Sequence, residues 1–436
     1  MIPARLPGRG VPGARGQGEG MPETGATYYD RQEVRNAADR ERSIFHALPG
    51  LLRHAIDNAP RLTERLRGID PDSITDRARL ATIPVLRKAA LSELQQSALP
   101  FGGLTATPVT RLARVFASPG PIYDPEGARS DYWRFARAMY AAGFRPGDIV
   151  HNSFSYHLTP AGSMAEGGAR ALGCPVIPGG TGQTELQLRV IRDLRPSCYV
   201  GTPSFLLILL EKGRAEGLDT SSLQKALVSG EAFPPAARDR LRDEFKVTAC
   251  QCYASADLGL IAYESSAADG LVVDESIILE IVRPGTGEPV PPGEVGEVVV
   301  TAFNPDYPLI RFATGDLSAV MPGESPCGRT NMRIRGWLGR ADQSTKVRGM
   351  FVHPSQVQDV ARRHAEIGRV RLAVSHEGGR DRMVLLCEAS TRSPALIAAI
   401  RETSRAVTGL GAEVELVAPG SLPNDGKVID DRRAGG

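Results

Sequence analysis

Between Leu104 and Cys252, short apolar runs alternate with amphipathic stretches, and this alternation constrains the fold more than any other feature of the chain. The runs D-I-V-H-N-S-F (148–154), P-V-I-P (175–178), C-Y-V-G-T (198–202) and A-L-V-S-G (226–230) have the length and composition of strands. Around them, Y-W-R-F-A-R-A-M-Y-A-A-G (132–143) and T-E-L-Q-L-R-V-I-R-D-L (184–194) repeat apolar residues at helical spacing. Strand-length runs that alternate with helical patterns read as βαβ units, which require a mainly parallel sheet with helices on its faces.

The flanking text differs. From Tyr29 to Leu99 the spacing is helical, as in I-F-H-A-L-P-G-L-L-R-H-A-I (44–56), and no strand is expected. From Ile277 to Val320, I-I-L-E-I-V and E-V-V-V-T-A-F are separated by a Gly/Pro-rich turn, which predicts antiparallel strands. A third pattern begins after Gly339, with short strands and helices in a small α+β unit. The expected fold class is therefore α/β. A large N-terminal domain (29–339) with parallel and mixed sheets precedes a small, mobile α+β domain (340–436), after a disordered tail (1–28) rich in Gly, Pro and Arg.

Charge narrows the function. The chain has 52 basic and 50 acidic residues, a net +2, so it lacks the concentrated positive charge that nucleic acid or an anionic membrane requires. No apolar run approaches the roughly 18 residues of a membrane span, and the N-terminus has no secretory apolar stretch. A cytoplasmic protein acting on small molecules is expected. Six cysteines without recurrent paired spacing read as reduced thiols, and V-T-A-C-Q-C-Y (247–253) reads as a strand with Cys250 and Cys252 on one face, in preference to a metal site. The run G-G-T-G-Q-T (179–184) lacks G-x-G-x-x-G spacing, which argues against a dehydrogenase.

Several separated motifs then match one pattern in order. They are G-D-I-V (147–150), V-I-P-G-G-T-G-Q-T-E (176–185), V-S-G-E (228–231), Y-A-S-A-D (253–257), P-L-I-R-F-A-T-G-D-L (308–317), G-R-A-D (339–342), V-R-G-M-F-V-H-P-S-Q-V (347–357) and D-G-K (425–427). Each alone is weak, but together and in this order they are specific. In them the chain resembles the adenylate-forming enzymes, in particular the phenylacetate-CoA ligase branch. The resemblance implies a two-step reaction: a carboxylate attacks the α-phosphate of ATP with Mg²⁺ assisting, and a thiol such as that of coenzyme A then takes the acyl group. The substrate it implies is an aromatic or other small carboxylic acid, and by analogy the protein is expected to be a homodimer.

The resemblance also implies roles. Asp316 would accept hydrogen bonds from both ribose hydroxyls, since a carboxylate offers two acceptor oxygens to a vicinal diol. Arg335 and Arg340 would lie near phosphate or ribose at the neck between the domains, Arg340 as partner of Asp342. Gly230 and Glu231 would bring a turn against adenine, with Ala232 beside the acyl pocket. Tyr253 and Ala254 would border adenine, with Tyr253 stacking on it. Asp257 would hold Mg²⁺ where relatives carry a glutamate, and Lys427 would contact the carboxylate and the α-phosphate during adenylation. Tyr156 and His157 would approach the acyl pocket.

Two departures from the family pattern stand out. Its phosphate loop, normally rich in Ser, Thr and Gly and ending near a lysine, aligns with F-A-S-P-G-P-I-Y-D-P (116–125). Ser118 and Gly120 remain to bind phosphate, but three prolines remove N–H donors and Asp124 replaces the cation. If Asp124 faces the phosphates, Asp124→Lys should tighten ATP binding. Some relatives also carry a structural zinc; here the corresponding places read Ser265, Val272 and S-P-C-G-R, leaving only Cys327, so no such zinc is expected. Two other functions fit the altered loop: ATP-dependent activation of another nucleophile, for example nitrite with an aromatic amine, or ligand binding without catalysis.

Overall fold

The computed structural model describes residues 27–118, 121–231, 233–338, 340–341, 345–347, 350–352, 354–377, 380–423, 425 and 427–433. The expected tail lies almost wholly outside these. Helix Ala37–Asn58 is capped by Asn36, whose side chain accepts the Ala38 N–H, and it buries Ile44, Phe45, Leu48, Leu51, Leu52 and Ala55 on one stripe. The segment expected to be all helical does contain one strand, β1 (Leu86–Arg87), which pairs in parallel with Phe312 and Ala313 far along the chain. Two residues are too few to show a period, so only the distant partner defines this strand.

The proline-laden stretch is a hairpin rather than an open loop. Strands β2 (Arg114–Ser118) and β3 (Ile122–Glu126) pair antiparallel with Phe116 opposite Asp124, while Pro119 and Gly120 lie outside the described residues. A two-stranded ribbon leaves N–H groups unpaired on its outer edges, which is how it tolerates Pro125.

The parallel sheet follows as expected. Strands β4 (Val150–Asn152), β5 (Val176–Pro178), β6 (Cys198–Gly201), β7 (Lys225–Val228) and β8 (Thr248–Ser255) alternate with helices and lie side by side in the order β5-β4-β6-β7-β8. Their period of two divides the core. Cys198, Val200, Leu227, Cys250 and Cys252 pack on Met139 and Met164 from the helices of one face. Tyr199, Ala226, Val228 and Ala249 pack on Leu188, Leu206 and Leu241 from the helices of the other. Cys250 and Cys252 do share a face, and burial pushes both thiols up to about 12.

Beyond β8 the sheet turns antiparallel through β9 (Gly259–Tyr263) and β10 (Leu271–Val273). Strands β11 (Ile277–Val282), β12 (Gly296–Ala302) and β13 (Phe312–Ser318) form the expected antiparallel set, with β1 joined to the edge of β13. The short strands β14 (Val320–Met321) and β15 (Arg333–Ile334) complete the edge of the large sheet. After the hairpin of β16 (Thr345–Val347) and β17 (Met350–Val352), strands β18 (Ile367–Glu377), β19 (Arg380–Ala389), β20 (Glu413–Val417) and β21 (Ile429–Asp431) make a second four-stranded sheet in the order β20-β19-β18-β21. Val357, Leu372, Leu385, Ile400 and Leu416 belong to an apolar cluster of its own within this C-terminal part. No described helix is long and apolar enough to cross a membrane.

Candidate active site at the strand ends

Ligands of open α/β sheets gather beyond the carboxyl ends of the parallel strands, and a cavity of about 480 Å³ lies there. Phe154 follows β4, Ser229 and Gly230 follow β7, and Ala254 and Ser255 close β8, so three strands aim their ends into it. Its walls are mostly apolar, with Ile122, Phe135, Phe154, Pro160 and Met164. Gly230 has φ +86°, a left-handed turn that a side chain would strain. A larger cleft of about 880 Å³ opens beside Lys225 and Thr248, at the amino ends of β7 and β8, away from this chemistry.

At the rim, Lys88 Nζ donates to Asp257 Oδ2 at 2.6 Å. The Asp257 side chain is 1 % exposed, and its other oxygen, Oδ1, is buried without a hydrogen-bond partner among the described residues. Lys88 follows β1 directly, and Asp257 lies in the turn from β8 to β9. The two-residue strand thus carries the cation of the site. Spacing and composition gave no hint of Lys88, because its role depends on the pairing of β1 with β13.

Asp124 corrects the expectation for the loop. It is fully buried on β3, where its Oδ2 accepts the Ser118 hydroxyl at 2.6 Å and its Oδ1 has no partner among the described residues. Burial, reinforced by the charge of Asp257, pushes its carboxyl up to about 7, against the pull of Ser118 and Lys88. Asp124 therefore stands behind the cavity wall instead of facing open phosphate space. Asp124→Lys would bury a second ammonium beside Lys88, so tighter ATP binding is no longer its expected outcome.

A folded pKa raised above the ordinary 3.8 means that the folded chain holds the proton longer than the unfolded chain. Asp124 thus costs stability as pH rises from about 4 through about 7. Asp124→Asn should remove this cost, gaining roughly 1–3 kcal/mol relative to wild type between pH 5 and pH 8. Urea unfolding at the two pH values measures the change; an equal difference between the proteins at both would contradict the assignment.

The second cluster centres on Asp316, within β13. Its Oδ2 lies 2.8 Å from the Tyr253 hydroxyl, and its Oδ1 accepts from Trp337 Nε1 at 3.1 Å and from Arg340 Nη1 at 3.4 Å. The Tyr253 hydroxyl is also 3.1 Å from Thr314 Oγ1, and its ring belongs to the apolar core. Tyr253 adjoins Ala254, which lines the cavity, so the two clusters are neighbours on β8.

Other expected site residues are placed elsewhere. Glu231 is exposed and accepts the Ser204 N–H at 2.6 Å, at the start of helix Pro203–Ala215. The Tyr156 hydroxyl accepts from Asn152 Nδ2 at 2.7 Å, and His157 is exposed; neither lines the cavity. Arg335 is exposed, with its backbone N–H on Ala319 O. Lys427 is exposed and lines a separate cleft with Arg283, Glu288 and Glu294. Gly120, Ala232 and Asp342 lie outside the described residues. Of the places that hold zinc in some relatives, Val272 is in the core and Cys327 Sγ is 3.1 Å from Ser325 Oγ.

Comparison with known proteins agrees with this geometry. Residues 133–303 match the family of AMP-binding enzymes. Phenylacetate-coenzyme A ligase of Thermus thermophilus is 33% identical over 338 residues, covering 74% of this chain and 75% of that protein. The enzyme of the same name from Escherichia coli K12 is 30% identical over 428 residues, covering 92% and 96%. Among solved structures, 2-hydroxyisobutyryl-CoA ligase in the postadenylation state with 2-HIB-AMP matches with a TM-score of 0.71 at 27% identity, over 94% of both chains. The same ligase with 2-HIB-AMP and CoA in the thioesterification state matches at 0.70 and 26%, again over 94% of both. Fold, motif order and identity over most of the length converge, and the chain belongs to the phenylacetate-coenzyme A ligase family of AMP-binding enzymes.

Proposed function

We propose that the chain activates an aromatic or small carboxylic acid with ATP, forming an acyl-AMP, and then transfers the acyl group to coenzyme A. The observation that carries this reading is the joining of an apolar cavity to a polar rim, where Lys88 and an Asp257 carboxylate with one unpartnered oxygen meet. An acid fits such a site with its apolar body inward and its carboxylate at the rim. Asp316 supports the nucleotide half, standing beside the rim as an acceptor for ribose.

The steps follow from these placements. The rim holds the substrate carboxylate beside the α-phosphate; a carboxylate oxygen bonds to phosphorus, and the bond to pyrophosphate breaks. Negative charge crowds at phosphorus, so Lys88 works by offsetting it. Magnesium fits the unpartnered Asp257 oxygen, and when bound there it would draw charge from the leaving pyrophosphate. In the second step a thiol attacks the acyl carbon and AMP leaves. Lys427 would reach the rim only after rearrangement of the C-terminal part, consistent with a cation delivered for the first step alone.

The test is pyrophosphate release by the purified chain with ATP and Mg²⁺ across a panel of aryl and short-chain acids, with and without coenzyme A, and with nitrite plus an arylamine in a separate arm. Release that requires an acid, with a thioester formed when coenzyme A is added, is the expected result. The same background in every mixture would overturn the reading, and release only with nitrite and amine would replace the acid as substrate.

A further inference from the structure

We infer that Trp337 sets nucleotide affinity and ribose selectivity by occupying, through its indole N–H, an acceptor position on Asp316 that a ribose hydroxyl needs. The inference rests on the ATP reading above and concerns only this chain's own arrangement around Asp316.

A carboxylate has about four lone-pair sites, two on each oxygen. Around Asp316 three are taken: Tyr253 holds one on Oδ2, and Trp337 and Arg340 hold two on Oδ1. A vicinal diol that donates both protons to this carboxylate needs two sites, and the described residues leave only one. One resident donor must leave before a ribonucleotide can bind fully.

Trp337 is the donor that leaves most easily. The Tyr253 hydroxyl is buried, and releasing it would strip a desolvated group of its charged partner. Arg340 is held beside Asp316 by backbone pairing, with Leu338 N on Leu317 O and Ala341 N on Gly315 O fixing the chain on either side. The indole is neutral, has a single donor and is 54% exposed, so water can satisfy it at little cost once it swings away. An exposed indole in such a place would otherwise be unexplained, since aromatic rings of this size usually go to the core.

The consequence is a penalty on ribonucleotides that deoxynucleotides escape. A 2′-deoxynucleotide presents one hydroxyl and can use the one free site without displacing the indole. Trp337→Phe keeps an aromatic ring and removes the donor. It should tighten ATP binding by about 5- to 10-fold, within the typical net worth of one hydrogen bond. Binding of 2′-deoxyATP should change much less.

Titration calorimetry of wild type and Trp337→Phe with ATP and with 2′-deoxyATP, in the presence of Mg²⁺, tests this. Intrinsic fluorescence gives a second readout, because the chain has two tryptophans and the other, Trp133, is 3% exposed with its N–H on Glu126. A rise in the ATP preference of the variant, with a change in wild-type emission on ATP binding, supports the inference. ATP binding that is equal in the two proteins with an unchanged preference, or weaker in the variant, overturns it and leaves the ATP reading standing. No heat with ATP from either protein overturns both.

Discussion

Arg311→Met is expected to lose about 3–5 kcal/mol of folding stability, the penalty for leaving a buried ion without its partner. Arg311 is 1% exposed and spends every guanidinium donor. Its Nε and Nη2 meet the two oxygens of Glu280 at 3.0 Å each, Nη1 donates to Ala81 O and Ile83 O, and Nη2 also donates to Gly287 O. Methionine matches much of the volume but leaves the Glu280 carboxylate and three carbonyls buried and unpaired. Chemical unfolding measures the loss, and a change below about 1 kcal/mol would mean that the network contributes no net stability. The double variant Arg311→Met/Glu280→Leu should recover most of the loss, because two apolar residues can replace a buried ion pair at similar stability.

The position of Arg311 makes this more than a stability test. Its backbone carbonyl accepts the Leu86 N–H at 2.9 Å, which starts the pairing of β1 with β13. One strand leads to Lys88 and the other to Asp316. The Arg311 side chain also holds Ala81 O and Ile83 O, just ahead of the strand that leads to Lys88, so the double variant should regain stability without fully regaining nucleotide binding.

The parts of the fold that could be read from the sequence are those with local period. The parallel strands announce themselves because both faces are covered by helices, which makes them short apolar runs punctuated by Gly and Pro. Strands β11 and β12 are as plain, with a turn between two β-branched runs. Strand β1 has no local signal, and its two residues become a strand only when β13 arrives some 225 positions later. The hairpin of β2 and β3 was hidden by its own prolines, which in an isolated reading forbid pairing and in a two-stranded ribbon do not.

The same division runs through the site. Asp316 and Asp257 draw attention because they sit in ordered motifs, and Gly230 because it follows an apolar strand where a turn would come close to a ligand; its left-handed φ of +86° appears only in the structure. Asp124 has the residue type but not the environment: the sequence shows an anion where relatives have a cation, and only burial shows that it stands behind Ser118 with a carboxyl near neutrality. Trp337 and Lys88 carry no motif signal, for each acquires its meaning from a partner distant in the chain.

Lys88→Met should lower acid-dependent pyrophosphate release by about 10²- to 10³-fold at saturating ATP, the usual cost of removing one positioned charge-stabilising donor. The substitution also strands Asp257, so a folding defect must be separated from a catalytic one. Lys88→Arg keeps the charge and should retain more activity than Lys88→Met at equal stability, whereas a purely structural role would leave activity tracking the unfolding midpoint. Lys427→Ala gives the contrast. Its side chain is exposed, so the fold should be unaffected, and its loss should slow pyrophosphate release while sparing thioester formation from supplied acyl-AMP. Under the proposed reaction Lys88, which lines the cavity, would stay beside the acyl-AMP, so Lys88→Met should slow both half-reactions. If Lys88→Met left pyrophosphate release within about 3-fold of wild type, the charge facing the phosphates would have to come from elsewhere, and the pairing of β1 with β13 would have no catalytic consequence.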